Sequence, residues 1–375
     1  MDLVVLSEVR WGYFRTRKSF LLSRFPERWR VFFAQPPVAG GDDPWRPRTD
    51  GRVTYFSVPF LKPATTSAVY NRLVSVPSGR ELVDVTAHLW LSSRLRALGV
   101  EDTPVVLASN IYCPRSLSRL PRKLLFWDFN DHPLQFAGVP GWAEGLWRNA
   151  IERTDAFFVV SEHYRRELAQ QTEKPLVLLG NGVETAHFET AQPTPAELEA
   201  LPRPRIGYIG LLSHFLDFEV LESLRQARRG GTLVLLGPGT PATADRLREF
   251  GSRPGVAVLG PRPYPELPGW MQGLDVGVIP FQASHPYVRG INPNKIYQYL
   301  AAGLPVVSTP VLDLGAEPPH LQFATDPDGF RAAVERALDT PGDPRARRAI
   351  ARPHDWDVLA ARMVAEIESR VAAAA

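Results

Sequence analysis

The stretch Ile291–Thr309, INPNKIYQYLAAGLPVVST, joins a helix to a buried strand and decides how the rest of the chain is interpreted. Asn292 is a good N-cap, and Pro293 suits the first helical position, where its missing N–H costs nothing. Gly303 ends the helix, and a proline two residues later prevents its continuation. The chain then returns as the apolar strand Val306–Ser308. A helix followed at once by a buried strand predicts a parallel sheet covered by helices.

Lys295 lies in the first turn of this helix, beside unpaired backbone N–H groups and the positive end of the helix dipole. A cation is unfavourable there for the helix itself. It fits if an anion binds, because helix N-termini bind phosphate. Gln298 and Tyr299 follow three and four residues later and share the face of Lys295. A lysine for a diphosphate and an amide for sugar hydroxyls describe a nucleotide-sugar site; a solvated Lys–Gln face on an ordinary crossover helix is the alternative.

Short β-type runs alternate with helical patterns along the whole chain, which argues for parallel sheets built from βαβ units. The predicted strands are Leu3–Leu6, Arg30–Phe33, Val53–Ser57, Val105–Ala108, Leu124–Trp127, Ala156–Val160, Leu176–Leu179, Arg205–Ile209, Thr232–Leu236, Val256–Leu259, Val276–Ile279, Val306–Ser308 and Gln322–Ala324. Residues 189–204, ETAQPTPAELEALPRP, contain four prolines and no β-type run, and predict a linker. We therefore predict two Rossmann-like, doubly wound α/β domains, residues 1–188 and 205–354, facing each other across a cleft. An amphipathic helix follows at 355–375.

The composition is typical of a soluble globular protein. The chain has 375 residues, of which 44% are hydrophobic and 22% charged, with a mean hydropathy of −0.15. No stretch approaches the ~20 uninterrupted apolar residues of a membrane-spanning helix. The N-terminus has no basic segment before its short apolar run, so we expect a cytoplasmic protein. The single cysteine, Cys113, cannot form an internal disulfide.

The charge of the chain is concentrated at its start. Residues 1–100 hold 15 basic and 8 acidic residues, whereas the whole chain carries a net charge of only +3. A basic first domain suggests an anionic partner, such as a phospholipid surface or a pyrophosphate. We expect no nucleic-acid partner, because basic and acidic residues are interleaved outside this domain and no recognised binding motif is present.

The segment around Lys295 resembles the donor-site helix of the GT-B glycosyltransferases, especially family 4 and the teichuronic-acid biosynthesis type. That family has approximately P-x-K-x-Y-E-Y-L-A-A-G-x-P-V-V here, and the chain matches it at Pro293, Lys295, Tyr297, Tyr299 to Gly303 and Pro305 to Val307. Less specific similarities follow in the family's order at Trp11, Arg15, Pro36, Pro37, Asn181–Glu184, Phe188 and Gly273–Phe281. The resemblance therefore extends over nearly the whole chain.

The resemblance implies a glycosyltransferase that moves a sugar from a nucleotide donor, for which we expect a UDP- or GDP-linked sugar, to a polysaccharide precursor or lipid-linked acceptor. With the basic first domain, we also expect a place at the inner face of the membrane. The sugar nucleotide is a substrate, so no cofactor is implied. GT-B enzymes can neutralise the leaving diphosphate with a lysine and helix N–H groups, so no catalytic metal is expected. In the family the C-terminal helix packs back on the first domain. The implied donor-binding residues are Lys295, Gln298, Tyr299, Asn294, Gly210 and Gly237.

The chain departs from family 4 at two positions. The family usually has two glutamates eight positions apart where this chain has Gly290 and Gln298. Gln298 can still accept hydrogen bonds from ribose hydroxyls through its carbonyl oxygen, whereas Gly290 offers no side chain. The K-x-x-Q form resembles the donor helix of bacterial exopolysaccharide glucuronosyltransferases. Nucleotide binding is expected to survive, while the transferred sugar and the stereochemical outcome stay open. Two other kinds of protein also stay open as alternatives: a nucleotide-sugar epimerase and a non-catalytic nucleotide-sugar-binding subunit.

The first-domain candidates follow predicted strands. The block Trp127–His132, WDFNDH, resembles the Y-D-x-x-D-D block of the teichuronic-acid type. Asp131 and Asp128 are candidate catalytic residues, because a carboxylate can accept the proton of an acceptor hydroxyl or stabilise an oxocarbenium-like transition state. His132 is a candidate acid–base group or sugar ligand. The alternative is that Asp128 caps a turn and the rest forms a surface loop.

Candidate acceptor-binding residues are Arg15, Arg17 and Asn110. The two arginines belong to the basic and aromatic run Tyr13–Leu22, which could meet an anionic membrane or the pyrophosphate of a lipid-linked acceptor. Its alternative is a helix packed in the first-domain core. The sequence Asp326-Pro-Asp328 spells a metal motif of other glycosyltransferase folds, but it precedes a predicted helix, so we expect a helix cap there.

Overall fold

The computed structural model describes residues 1–12, 16–37, 45–63, 65–136, 138–226, 231–311 and 320–374. Contacts among these residues divide the chain into two compact units. The first unit comprises Met1–Leu179 together with Leu359–Ala375, and the second comprises Gly180–Val358. Each unit contains its own sheet of mainly parallel strands, which confirms the predicted α/β class with two Rossmann-like domains.

The first unit is built on an eight-stranded sheet. Its strands are β1 (Asp2–Leu6), β2 (Arg30–Gln35), β3 (Arg48–Asp50), β4 (Val53–Ser57), β5 (Val105–Ala108), β6 (Leu125–Phe129), β7 (Ala156–Val159) and β8 (Leu176–Leu178). The spatial order is β3-β4-β2-β1-β5-β6-β7-β8, and all neighbours are parallel except β3 with β4. The sequence pattern does not predict β3, because this exposed edge strand of three residues lacks apolar alternation.

Helices cover this sheet and share its core. They are α1 (Arg17–Leu22), α2 (Ala68–Ser75), α3 (Pro77–Ala97), α4 (Pro114–Arg119), α5 (Ala143–Arg153) and α6 (Glu162–Ala169). The long helix α3 buries Ala87, Leu91 and Leu95, which recur every three to four residues and belong to the same apolar cluster as β1. Cys113, immediately before α4, is fully buried, and its thiol contacts the Asn110 carbonyl oxygen at 3.2 Å. Burial raises the pKa of this thiol well above its ordinary value.

The second unit contains a six-stranded, wholly parallel sheet. Its strands are β9 (Arg205–Ile209), β10 (Thr232–Leu236), β11 (Val256–Leu259), β12 (Val276–Ile279), β13 (Val306–Ser308) and β14 (Leu321–Phe323). The spatial order is β11-β10-β9-β12-β13-β14. The chain thus builds outward from β9 on one side and then from β12 on the other, which is the Rossmann order. Ligands of such sheets bind beyond the carboxyl ends of the strands where the two directions diverge.

The helices of the second unit are α7 (Thr185–Glu189), α8 (Ala196–Glu199), α9 (Phe218–Arg225), α10 (Ala244–Gly251), α11 (Leu267–Gln272), α12 (Pro286–Gly290), α13 (Asn294–Ala302), α14 (Pro327–Asp339) and α15 (Pro344–Ala351). Short 3₁₀ turns occupy Tyr264–Glu266 and Arg352–His354. Asp326 caps α14 by accepting a hydrogen bond from the backbone N–H of Gly329 at 2.8 Å. The D-x-D sequence therefore has the capping role expected of it.

The boundary between the units falls at Leu179 rather than at the predicted residue 188. Phe188 is fully buried in the core of the second unit, and the Asn181 amide donates to the backbone carbonyl of Asn292 at 2.7 Å. The predicted linker at 189–204 contains α8, whose Leu198 is also fully buried in that core. The proline-rich segment is therefore packed onto the second unit, because its apolar side chains are buried in the core of that unit.

The last helix is α16 (Trp356–Ala373). Its buried residues are Trp356, Leu359, Ala360, Met363, Val364 and Ile367, the spacing of one apolar helix face. From Leu359 onward the helix belongs to the first unit, where Glu368 accepts hydrogen bonds from Arg28 at 2.7 Å and from the Trp29 indole at 2.9 Å. None of the helices in the described ranges is both long enough and apolar enough to span a membrane.

Candidate functional site

The residues predicted to bind a nucleotide sugar lie at the carboxyl edge of the second sheet, beside the point where the connections of β9 and β12 diverge. Gly210 follows β9 directly, Gly237 follows β10, and α13 leads from the β12 side into β13. In a Rossmann-like sheet this is the place where ligands bind. The topology therefore places the predicted donor residues where a ligand of the second unit is expected.

The donor-side helix α13 begins one residue later than predicted. Pro293, not Asn292, is the N-cap, and it supplies no side-chain cap to the first turn. The helix ends at Gly303, as predicted, and this glycine has a left-handed φ of 86°. Because the N-cap residue offers no side-chain acceptor to the N–H groups of the first turn, these groups are suited to binding an anion.

Lys295 extends from the first turn of α13 to the end of β9. A methyl group at Gly210 would collide with Lys295 Cε and lie 2.8 Å from its Nζ, so the lysine passes over bare backbone. A methyl group at Gly237 would in turn collide with the carbonyl oxygen of Gly210. Gly210 and Gly237 have φ values of 148° and 143°, which favour glycine. The structure thus brings together three of the six predicted donor-binding residues, Lys295, Gly210 and Gly237. Neither glycine leaves room for a side chain.

The charge of Lys295 has no counterion among the described residues, since none of the ion pairs or hydrogen bonds in those ranges involves its amine. Its Nζ lies 5.7 Å from the centroid of the Tyr208 ring. Burial lowers the pKa of Lys295 to about 8, because a desolvated ammonium is costly without a partner. A half-buried, partly desolvated cation that lacks a carboxylate is suited to an anionic ligand, which would supply the missing charge.

Gln298 lies on the next turn of α13 and has the exposure expected of a binding-site amide. It is only 8% exposed, and its amide makes no hydrogen bond to any residue in the described ranges. Buried amides normally have partners. Gln298 is thus available to hydroxyl groups of a ligand. Asn294, the first residue of the helix, is half-buried at the same end.

Tyr299 was predicted to contact the donor, and the structure corrects this. Its side chain is fully buried behind the helix. The Tyr299 hydroxyl accepts a hydrogen bond from the backbone N–H of Ile209 at 2.7 Å and donates to the carbonyl of Gly207 at 3.3 Å. Tyr299 therefore fixes α13 to β9, which sets the distance that Lys295 must cover, and its hydroxyl is not available to a ligand.

The structure also corrects the roles of Asp128 and Arg17 in the first unit. Asp128 lies within β6 rather than in a loop after it, and the Arg17 guanidinium donates to its carboxylate at 3.0 Å. Both side chains are buried, and Arg17 also donates to the carbonyl of Leu179 at 2.8 Å. In such a buried pair each charge needs the other, because the loss of one partner leaves an uncompensated buried charge. We therefore assign neither a catalytic role to Asp128 nor an acceptor-binding role to Arg17.

His132 likewise has both ring nitrogens in use. Its Nδ1 accepts a hydrogen bond from the backbone N–H of Leu134 at 3.2 Å, and its Nε2 lies 3.3 Å from the carboxylate of Glu167. The ring is buried beside Phe129 and Trp147. The hydrogen bond from His132 lowers the pKa of Glu167. These contacts make His132 a structural residue rather than the predicted acid–base group.

Asn110 is also a structural residue, although it borders a cavity. Its amide donates to the carbonyl of Ser7 at 3.2 Å, and its side-chain oxygen accepts from the N–H of Tyr112 at 2.9 Å.

Asp131 is half-buried and accepts a hydrogen bond from the Asn130 amide at 2.6 Å. Arg15 lies outside the described residues. Of the three predicted catalytic residues, Asp131 is thus the one whose position is compatible with a catalytic role.

Sequence reasoning missed Glu8, which the fold places at the corresponding edge of the first sheet. Glu8 follows β1, where the connections of β1 and β5 diverge, and lines a cavity of about 510 Å³ with Arg10, Lys62 and Tyr112. Lys18 donates to its carboxylate at 2.7 Å, and the Ser109 hydroxyl donates to the other oxygen. Burial lowers the pKa of Lys18, but the carboxylates of Glu8, Asp128 and Asp131 outweigh it and raise the pKa overall. The signal available in the sequence was that Glu8 lies two residues after the first buried strand.

Comparison with known proteins supports this interpretation of the two units. Residues 203–340, which include β9, α13 and most of the second unit, match the family described as glycosyl transferases group 1. The chain is 16% identical to the solved sucrose-phosphate synthase of Thermosynechococcus elongatus, with a TM-score of 0.73 over 99% of both chains. It is 15% identical to HepE of Anabaena, solved in complex with UDP, with a TM-score of 0.64 over 98% of this chain and 99% of that one. The likeness to the solved structures shows that the chain has their two-domain GT-B fold, and the family match shows a glycosyl transferases group 1 domain at residues 203–340.

Among curated proteins, the chain is similar to TuaH of Bacillus subtilis strain 168, whose assigned role is that of a glycosyltransferase in teichuronic acid biosynthesis. The two are 28% identical over 221 residues, which is 56% of this chain. The match spans about half of the relative, 55% of its length.

Proposed function

We propose that the protein transfers a sugar from a nucleoside-diphosphate sugar to a polysaccharide precursor or lipid-linked acceptor. The observation that carries the proposal is Lys295, a half-buried cation without a carboxylate partner in the described ranges, which lies over Gly210 at the ligand-binding edge of the second sheet. The UDP bound to HepE supports a uridine or related nucleotide, and the similarity to TuaH supports a cell-envelope polysaccharide as the destination of the sugar.

The donor site would act through charge and hydrogen bonding. The Lys295 ammonium and the N–H groups at the start of α13 neutralise the diphosphate as the bond between it and the sugar breaks. Gln298 binds hydroxyl groups of the ribose. Gly210 and Gly237 let the diphosphate approach the backbone. Because these groups already supply positive charge and N–H donors, we propose that the reaction needs no metal ion.

The acceptor would bind in the cavity of the first unit, where Glu8 is the carboxylate that faces the open space. As the acceptor oxygen bonds to the sugar carbon and the diphosphate leaves with its electron pair, Glu8 takes the hydroxyl proton. Lys18 and Ser109 hold the Glu8 carboxylate ionised and oriented. Asp131, which also raises the pKa of Lys18, is the alternative base.

Calorimetric titration with UDP, GDP, dTDP and ADP tests the donor site. We expect micromolar binding of one nucleotide by the wild-type protein, and at least about a hundredfold weaker binding by Lys295→Ala, because a charge-assisted contact to the diphosphate is lost. Lys174→Ala, which removes a lysine that donates to backbone carbonyls in the first unit, is the matched control and should bind as wild type. Failure of all four nucleotides to bind would overturn the donor-site assignment.

The same titration at two pH values tests the charge state of Lys295. The lysine is protonated below its pKa of about 8 and loses its proton above it. Only the protonated form attracts a diphosphate, so affinity should fall about tenfold between pH 7 and pH 9. Lys295→Met should show no such fall. An equal pH dependence in both proteins would mean that another group titrates.

Steady-state release of the nucleoside diphosphate from sugar nucleotides, with water as acceptor, tests the carboxylates. Glu8→Gln is expected to lower kcat by about 10²–10⁴-fold, the range for loss of a general base, without changing nucleotide affinity. Glu27→Gln, an exposed glutamate paired with Arg52, should have no effect. If Asp131→Asn lowers kcat and Glu8→Gln does not, Asp131 is the base. Nucleotide binding without release from any sugar nucleotide would favour the non-catalytic binding subunit.

A further inference from the structure

The surface of helices α2 and α3 is unusually apolar for an exposed face. The described residues include twelve exposed large hydrophobic side chains, and six of them lie between Val69 and Trp90. We define the α2–α3 surface by the aliphatic members of this group, Val69, Leu73, Val76, Leu82 and Leu89, which are 37–82% exposed. Single exposed apolar residues are normal on proteins, whereas a concentration of them marks an interaction site.

These side chains repeat with helical spacing on the faces that point away from the core. Leu73 follows Val69 by four residues on α2, and Leu89 follows Leu82 by seven on α3. The opposite face of α3 already contributes Ala87, Leu91 and Leu95 to the core, so the outer leucines are not needed to bury the helix. A helix that is apolar on its outer face as well is adapted to a second apolar surface.

The two helices form one rigid corner. A methyl group at Gly79, in the first turn of α3, would collide with the carbonyl oxygen of Leu73, so the helices touch through bare backbone. Val76 is both the C-cap of α2 and the N-cap of α3. The exposed residues of the two helices are therefore presented by one fixed unit, and they do not need to be ordered on binding.

The charge of the same helices selects the partner. Residues 68–97 contain four arginines, Arg72, Arg80, Arg94 and Arg96, and two acids, Glu81 and Asp84. Asp84 is buried, which raises its pKa to about 6, and Glu81 is paired with Arg115. Within the described ranges none of the four arginines forms an ion pair with a carboxylate. Arg80 and Arg94 are half-buried and donate to the backbone carbonyls of Val74 and Trp45, whereas Arg72 and Arg96 are exposed. The surface thus combines exposed aliphatic side chains with two exposed arginines that form no ion pair within these ranges.

We infer that the α2–α3 surface binds an anionic phospholipid bilayer. Aliphatic side chains flanked by arginines lie in the interface of such a bilayer, where the aliphatic groups leave water and the guanidinium groups meet lipid phosphates. A second copy of the chain fits less well, because a two-fold interface would bring both sets of arginines together. The inference relocates the membrane contact expected from Tyr13–Leu22, whose Arg17 and Lys18 are buried in pairs with carboxylates.

Co-sedimentation with large unilamellar vesicles tests the inference in the absence of any nucleotide, so that its outcome is independent of the donor site. We expect the full-length protein to bind vesicles of phosphatidylcholine with about one-third phosphatidylglycerol, and to bind pure phosphatidylcholine much more weakly. Leu82→Ser with Leu89→Ser should weaken binding at least about tenfold, through loss of buried apolar area. The matched control, Leu178→Ser with Val358→Ser, removes two aliphatic residues of 42% and 43% exposure elsewhere and should bind as wild type.

A charge variant gives a second test that does not depend on the leucines. Arg72→Gln with Arg96→Gln should weaken binding about fivefold for each arginine removed at low salt. Arg248→Gln with Arg331→Gln, in the second unit, should not. Circular dichroism checks that every variant is folded, and nucleotide affinity should be unchanged in all of them. Equal binding to neutral and anionic vesicles, no binding at low salt, or a dimer that the leucine variant dissociates would each overturn the inference.

Discussion

Replacing Arg17 by methionine is expected to lower the free energy of unfolding of the first unit by about 3–5 kcal/mol, the cost of leaving one member of a buried ion pair without its partner. Arg17 and Asp128 come from elements 111 residues apart, and their side chains are 5% and 2% exposed. The guanidinium also donates to the carbonyl of Leu179. Urea unfolding followed by tryptophan fluorescence measures the change, because seven of the nine tryptophans lie in this unit.

Two variants make this measurement specific. Arg17→Met combined with Asp128→Leu should recover most of the lost stability, because it removes both buried charges at once. Arg28→Met, which breaks the exposed pair with Glu368, should cost less than about 1 kcal/mol. If Arg17→Met were as stable as the wild type, the structural role assigned to Arg17 and Asp128 would be wrong, and the two residues would return to the list of site candidates.

Replacing Gly210 by alanine is expected to abolish micromolar nucleotide binding while the protein stays folded. The new methyl group would collide with Cε of Lys295. The end of a lysine side chain is flexible and can move away at low cost, but the ammonium then leaves the diphosphate. The φ of 148° at Gly210 adds a conformational cost to the substitution, which lowers the melting temperature without unfolding the protein. We expect the loss in affinity to match that of Lys295→Ala, about a hundredfold or more. Calorimetry with the nucleotide that the wild-type protein binds provides the measurement.

Two further glycines separate this effect from backbone strain. Gly237→Ala places its methyl group against the backbone carbonyl of Gly210, which cannot move aside, so it should lower the melting temperature as well as affinity. Gly99→Ala, at a φ of 62° with open space around it, should show only the conformational cost of a left-handed residue, about 1 kcal/mol. Full nucleotide affinity in Gly210→Ala would mean that Lys295 does not bind the diphosphate from its observed position.

Local sequence patterns were sufficient to predict that the residues of the proposed donor site lie together in the second unit. Helix α13 is bounded by proline and glycine, and strands β9, β10 and β12 are continuous apolar runs. Since neighbouring parallel strands end at one edge, residues directly after them are brought together by topology alone, which is why Gly210, Gly237 and Lys295 could be predicted. The role of Tyr299 could not, because a tyrosine at this spacing faces the ligand or the sheet according to a helix rotation that only packing decides.

The first unit shows where local patterns fail. Asp128 and His132 belong to one short polar block, and each is satisfied by a residue distant in sequence, Arg17 and Glu167. No local pattern records such pairing. Glu8 was missed for the opposite reason: a single glutamate after a strand carries no motif, and its importance comes from the cavity and from Lys18. The packing of residues 189–204 onto the core of the second unit was missed in a similar way, because the four prolines of this segment are typical of a linker.

The burial of Cys113 makes the chain suited to fluorescent labelling at a single introduced cysteine. The chain's sole cysteine is fully buried, and its thiol is held protonated by a raised pKa. Alkylating reagents attack the exposed thiolate, so the wild-type background should stay unlabelled without removal of the native cysteine. A cysteine introduced at the exposed Ser93 of α3 would then carry a fluorophore alone. The emission of an environment-sensitive dye at that position would report directly whether α3 enters a bilayer.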